Sequence, residues 1–450
     1  MVTESVIVGD GPAAWIMALA LARHAPTRVT VIAHRSPDDV DPFGPAMVAP
    51  PAIRRQHAML GLAAAEVMAC AAPVLGFSFD GPDKESGFAP FGQIGADIGP
   101  VAFHQQLARL GHLDALAEYS LAAQAARLGR FAPPSPDPAS FLSTLDYGLS
   151  LEAEPYAALL RSQAQALGVA VRSGAVTGTQ RGADGRVEAV ALQDGASVSG
   201  DFFIDASGAQ GLLTDAPFLP WASLFPLDRV RVEIENARTV PLVHLDFRNG
   251  EATLSRTAPL PGRQVRIRLT KDGGGTLFVP GRRQSFWDRN VIAVGAAAHV
   301  SPPLGAGALQ LIHRAAGHLI ALWPASAGGV EEAREFNRLM IAEVEADRDL
   351  GLVLIRPSGV TLPDAAAHRV ALFESRGRVS RREHEGFTAG FTAAALLASG
   401  LRPRRHDPLT DALDLAMLAA RADRIRHMAA STAAVLPSCR PVNVQAHDPD

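Results

Sequence analysis

Residues 5–33 read SVIVGDGPAAWIMALALARHAPTRVTVIA, and the order of residue types in this stretch decides the fold. An apolar, β-branched run over Val6 to Val8 has the composition of a buried strand, and a glycine turn follows it at once. The Ala- and Leu-rich segment after the turn predicts a helix, and RVTVI at 28–32 predicts a second strand. Strand, turn, helix and strand within about 30 residues form the βαβ opening of a Rossmann-type nucleotide fold. Gly9, Gly11 and Ala14 fall on the three positions of the G-x-G-x-x-G/A fingerprint. The two glycines let the backbone approach a pyrophosphate, and small Ala14 lets the helix pack on the sheet. The helix start at Pro12 and Ala13 would turn its amino end toward the negative charge. Where such folds carry Asp or Glu for the ribose hydroxyls, the second strand here ends at Ala33 followed by His34.

Two later segments repeat the strand-to-turn pattern. Residues 199–213, SGDFFIDASGAQGLL, predict an aromatic-rich strand and a turn at Asp205, Ala206, Ser207 and Gly208. Residues 290–323 predict a strand, a turn of small residues from Gly295 and a long helix. Between them, RVRVEIE and QVRIRL alternate as half-buried strands do, and residues 330–435 carry apolar positions at helical spacing. The fold class expected is α/β (α+β) with a discontinuous Rossmann-like domain. Its dinucleotide-binding part is drawn over 1–213 and 281–330, with a β-rich substrate region at 214–280. A helical C-terminal region at 331–440 and a polar tail at 441–450 complete the chain.

Composition narrows the function classes. The 450 residues are 48% hydrophobic with a net charge of −4 and no long basic run, which argues against a nucleic-acid partner. No run of about 18 uninterrupted apolar residues is present, so no membrane span is expected. The first residues, MVTE, are acidic where a signal peptide is basic, and a cytoplasmic location is expected. Cys70 and Cys439 match no metal-binding spacing, so no metal is expected.

Several motifs in order resemble the flavin-dependent tryptophan halogenases, which share a fold with the single-component aromatic monooxygenases. They are GDGPAAW, DFFIDASGAQGLL, LPWASLFPLDR, FVPGRRQSFWDRNVIAVG, PPLGAGALQLIHRA, LFESRGRV and LRPRRHDPL, spanning roughly residues 1–440. The resemblance implies an FAD cofactor, with reduced flavin supplied by a separate reductase, and a small-molecule substrate; a homodimer is one expected assembly, with the oligomeric state left open. Carried over residue by residue, it implies FAD contacts at Gly9, Gly11, Pro12, Ala13 and Ala14, and at Asp205 and Gly208. It implies further contacts at Gly295, Pro303, Gly305, Ala306 and Gly307. Arg282 and Arg283 fall in the family's PGRR turn, where solvated surface arginines are an equal expectation.

The catalytic positions depart from the family. Its lysine, a cationic hydrogen-bond donor for the halogenating species, lies in a segment like A-T-Y-K-L-G; the match is AAPVLG at 71–76, with Val74 at the lysine position. The glutamate of the family's E-P-L-E-S-T turn is replaced by Gly305 in PPLGAG. The W-x-W-x-I-P signature has no tryptophan counterpart near 235–265, and the flavin strap reads GPAMVAPP at 44–51. His299 falls in register with the histidine of the aromatic hydroxylases' turn, either to place a proton or to cap the turn, and Ala296 replaces their aspartate. Three readings stay open: a non-halogenating FAD-dependent oxidoreductase or monooxygenase, a halogenase with relocated catalytic groups, and a non-catalytic small-molecule or flavin-binding protein.

Overall fold

The structure, a computed structural model, describes residues 2–34, 43–81, 84–236, 244–249, 253–271, 273–302, 307–325, 329–356, 359–380 and 386–439. Two units divide the chain. Met1–Cys70, Leu151–Val230 and Gly275–Arg348 form the first; Ala71–Ser150, Arg231–Gly274 and Asp349–Asp450 form the second.

The first unit is built on a sheet in the order Trp287–Asp288, Val291–Ala293, Phe202–Asp205, Glu4–Val8, Arg28–Ala33, Ala170–Ser173. All neighbouring strands run parallel apart from the first two, which form an antiparallel pair. The central strands Phe202–Asp205 and Val291–Ala293 are buried along their whole length and read as largely apolar runs, whereas Ala170–Ser173 at the sheet edge is mostly exposed. Val6, Val8, Ile32, Phe203 and Val291 pack into one core with Val187, Val190 and Leu192 of a small antiparallel sheet, Val176–Arg181, Val187–Leu192 and Ser197–Ser199. The helix Pro12–His24 packs against the helices Ala153–Ala166 and Gly307–Ala321, burying every residue from Ala14 to Leu21. A helix surrounded in this way has no polar stripe, which is why its sequence is Ala- and Leu-rich on all sides.

In the second unit the larger sheet orders Arg229–Asn236 (in this unit from Arg231), Arg263–Thr270, Thr253–Leu260, Leu245–Asn249, Gly76–Gly81 and Lys84–Pro90. The sequence reading draws residues up to 213 into the dinucleotide segment, whereas Ala71–Ser150 cluster with this unit. The physical reason is the parallel pairing of Gly76–Gly81 with Leu245–Asn249, in register from Phe77 opposite Leu245 to Asp80 opposite Arg248. The helical pattern across 368–400 is broken: Asp364–Arg376 ends at Gly377, whose left-handed φ of 66° lets its N–H reach Phe373 O at 2.6 Å. The next helix, Ala389–Ala398, starts where Thr388 Oγ1 accepts the N–H of Phe391 at 3.1 Å. Leu415–Val435 packs on Leu121–Arg127 around Leu75, Leu121, Ala125, Leu145 and Ala433. Among the described residues no helix is long and apolar enough to cross a membrane.

Aromatic rings fill the second unit's core. Phe387 stacks on Phe391 at 4.4 Å between centroids, and Phe77 meets Phe391 edge to face at 5.2 Å. Phe391 is 1% exposed. Replacing it with alanine leaves a ring-sized void, and Phe391→Ala is expected to cost about 3–5 kcal/mol of unfolding free energy in a urea titration.

Candidate functional site

The three turns singled out by sequence come together at one end of the first unit's sheet. Ala206 N–H donates to Val8 O at 2.9 Å and Val294 N–H donates to Asp205 O at 2.9 Å, so each strand hands its neighbour a link just where its turn begins. Carboxyl ends of parallel strands are where open α/β sheets bind their ligands. Gly9 has φ +141°, and a Cβ there would overlap the carbonyl oxygen of Ala206. Gly295 has φ +61° and lies so close to the helix start that an added Cβ would stand 3.0 Å from the Ala13 methyl. Gly11 caps Pro12–His24 with no side-chain hydrogen bond, and a Cβ at Gly11 would meet nothing within 4 Å. Open space in front of an uncapped helix end fits the pyrophosphate of a dinucleotide. Gly9, Gly11, Pro12, Ala13, Ala14, Asp205, Gly208 and Gly295 therefore share one region of the unit.

Individual side chains refine that picture. The Asp205 carboxylate is fully buried and serves its own turn, accepting from Ser207 N–H, Ser207 Oγ, Leu213 N–H and Thr214 N–H at 2.6–3.2 Å. Asp10, between the two fingerprint glycines, would bring a negative charge to a pyrophosphate. Trp15 Nε1–H donates to its Oδ1 at 3.2 Å, and the Arg161 guanidinium lies 3.6 Å from the same oxygen and 5.3 Å from the Trp15 ring centroid. At the end of Arg28–Ala33, Ile32 O accepts the N–H groups of both Gly9 (3.0 Å) and His34 (2.7 Å), which seats His34 beside the glycine loop. Val176 N–H donates to His34 Nδ1 at 3.1 Å, so the neutral ring carries its proton on Nε2 and presents a donor where a carboxylate would accept.

Sequence reasoning undervalued the PGRR arginines. Arg283 donates to the carbonyls of Ala297, Ala216 and Gln210 at 3.0–3.2 Å, stapling the second turn to the third. Arg282 pairs with Glu345 at 2.7 Å. No contiguous motif records such partners, because they come from separate segments.

Buried histidines form a second polar group in this unit. Tyr156 OH lies 2.9 Å from His57 Nε2 and 3.1 Å from His313 Nε2, with all three residues buried. A hydroxyl that donates to one ring must accept from the other, so the two imidazoles hold complementary tautomers. Burial lowers His57 to about 4, and burial together with the neighbouring His57 holds His313 well below the usual range. His299 is 6% exposed, its Nδ1 has no partner, and burial lowers it to about 4. It is neutral near pH 7. Gly307 opens the helix Gly307–Ala321, while Pro303, Gly305 and Ala306 lie outside the described residues. Val74 is fully buried in the strand Ala71–Val74 of the second unit. Among the described residues no cluster of His, Cys, Asp and Glu could hold a metal ion.

Gly9→Ala is expected to abolish binding in a flavin fluorescence titration, since its Cβ overlaps the Ala206 carbonyl. Arg161→Ala should weaken binding about tenfold by leaving the Asp10 charge uncompensated beside the pyrophosphate. The buried histidines set a pH dependence of stability. Their folded pKa values lie below the unfolded value near 6.5, so the unfolded chain binds more protons between about 4 and 6.5. Stability is complete above that window and falls as pH drops through it, by up to about 3 kcal/mol for each of His57 and His299. Denaturant midpoints at pH 7.5 and 5 measure it; a His57→Gln, His299→Gln double variant should flatten the profile.

The tryptophan halogenase family model matches residues 4–243 and 263–415. The fold is similar to BrvH, a flavin-dependent halogenase from Brevundimonas sp. BAL3, with 29% identity over 97% of this chain and 98% of that one and a TM-score of 0.88. A flavin-dependent halogenase from Xanthomonas campestris matches at 24% identity over 97% of both chains, with a TM-score of 0.88. A tryptophan 6-halogenase from Streptomyces toxytricini matches at 20% over 97% of this chain and 98% of that one, with a TM-score of 0.85. These last two likenesses speak for the fold alone. Among curated proteins the sequence finds no match. With the family model covering most of the chain and the turns of a dinucleotide fold joined at one sheet end, the chain belongs to the tryptophan halogenase family.

Proposed function

We propose that the protein is an FAD-dependent oxidoreductase that oxidises or hydroxylates an aromatic or other bulky organic substrate without halogenating it. FAD is the family's cofactor, and when bound it supplies the two-electron redox chemistry. The chain's own part is to hold it. Gly9 and Gly11 would admit the pyrophosphate, the uncapped start of Pro12–His24 would face its charge, and Gly295 keeps the third turn close to Ala13. Reduced flavin comes from a separate reductase, as in the family.

The observation that carries the non-halogenating half of the reading is Val74. At the position of the family's lysine stands a side chain with no donor and no charge, fully buried. The chain's two lysines offer no substitute nearby in sequence: Lys84 is ten residues on, and Lys271 lies on an exposed bend. His299, buried and neutral near pH 7, supplies no cation in its place.

The test supplies purified protein with FAD, a flavin reductase, NADH and oxygen. A panel of indoles, phenols and larger aromatics is followed by mass spectrometry with and without bromide. Expected products gain one oxygen atom or lose two hydrogens and are the same in both conditions. A product with the bromine isotope doublet would overturn the reading in favour of halogenation. Failure to bind oxidised or reduced FAD at about a millimolar would overturn it in favour of a non-catalytic binding protein.

A further inference from the structure

The second unit encloses a cavity of about 430 Å³ where four of its elements meet: the edge strand Lys84–Pro90, the 3-10 helix Leu113–Tyr119, the end of Leu121–Arg127 and the end of Ala389–Ala398. That volume lies within the range of small-molecule sites. Its room comes from small residues. Gly87 lies so close to Ala398 that an added Cβ would overlap the Ala398 Cα and methyl, so strand and helix meet there as one continuous wall. Ala117 and Ala394 add little bulk from the other sides. Phe88, Leu116 and Leu397 give the interior an apolar surface, and the two leucines are buried. The charged lining residues, Arg127, Arg402 and Asp114, are all exposed, so charge stands at the mouth and apolar surface lies within.

The charges at the mouth do not cancel. Arg402, in the LRPRRHDPL motif, pairs with Asp114 at 2.8 Å and donates to the carbonyls of Leu397 and Leu401 at 2.6 and 3.0 Å, which fixes its position and answers its charge. Arg127, the last residue of its helix, has no hydrogen bond or ion pair among the described residues. One guanidinium is therefore left over beside an apolar interior. A guanidinium matches the two oxygens of a carboxylate, and apolar walls favour a ring or alkyl chain that leaves water. We propose that this cavity binds a small organic carboxylate with an apolar body, its carboxylate on Arg127 and its body against Phe88, Leu116 and Leu397. A neutral molecule would leave Arg127 unanswered, and an inorganic anion would leave the apolar walls to water. None of the residues assigned to FAD lines the cavity. The proposal is independent of the reading above, and stands whether the chain halogenates, oxidises or performs no catalysis.

The test is calorimetric titration of hydrocinnamate, and of its neutral amide hydrocinnamamide, into the full-length protein for wild type, Arg127→Gln, Arg127→Lys and Ala117→Phe. Wild type is expected to bind the acid with a Kd below about 1 mM and the amide at least about tenfold more weakly. Arg127→Gln should bind acid and amide alike, while Arg127→Lys keeps part of the preference by keeping the charge. Ala117→Phe places a ring in the cavity and should remove binding of both. The side chain at 127 is exposed, so its variants should fold; if Ala117→Phe fails to fold by circular dichroism, the two arginine variants decide. The proposal is overturned by a wild type that binds neither compound up to about 10 mM, or that binds both equally. A preference for the acid that survives in Arg127→Gln, or binding that survives in folded Ala117→Phe, would place the ligand elsewhere and overturn it too.

Discussion

The first unit depends on the side-by-side parallel pairing of three strands from distant parts of the chain: Glu4–Val8, Phe202–Asp205 and Val291–Ala293. Their register fixes where each turn begins. Because Ala206 N–H bonds Val8 O and Val294 N–H bonds Asp205 O, a one-residue slip in any of the strands would separate turns that must act together. Gly9 sits against the Ala206 carbonyl and Gly295 against Ala13 only because this register holds. The glycines are thus consequences of the pairing as much as features of a binding loop. Asp205, whose carboxylate organises the turn from Ser207 to Thr214, is the polar counterpart of the same constraint.

Charge is handled with the same economy. Asp10 in the glycine loop has Arg161 and the Trp15 indole beside it, Arg282 has Glu345, and Glu343 has Arg314 and His318. These acids and bases near the candidate site each have a counter-group within the first unit.

Much of this was legible in the sequence, and the parts that were share a physical cause. The βαβ opening could be read because a strand buried on both faces and a helix buried all round must be unbroken apolar runs, and because Gly9 needs a φ that only glycine adopts freely. The alternating strands at 229–236 and 263–270 could be read from their period of two. Other features live in relations between segments, which one-dimensional patterns do not carry. Arg283 looks like a surface arginine until its three carbonyl partners are seen. The strand Gly76–Gly81 gave no sign that its partner would be Leu245–Asn249. Gly377 was visible in the sequence, but apolar spacing on either side of it reads as one helix until its left-handed φ ends the first.

The interleaving of the two units has a consequence for biosynthesis. The strand Glu4–Val8 leaves the ribosome early, but Val291–Ala293, needed to complete its side of the sheet, follows only after most of both units has been made. In the second unit, Leu121–Arg127 waits for Leu415–Val435, the last helix described. Neither unit can close around its core while the chain is still emerging, so apolar strands and helices spend much of translation without their partners. A nascent chain of this architecture is therefore a natural client for holding chaperones. Its yield on expression should respond more to translation speed and temperature than the stability of the finished fold would suggest.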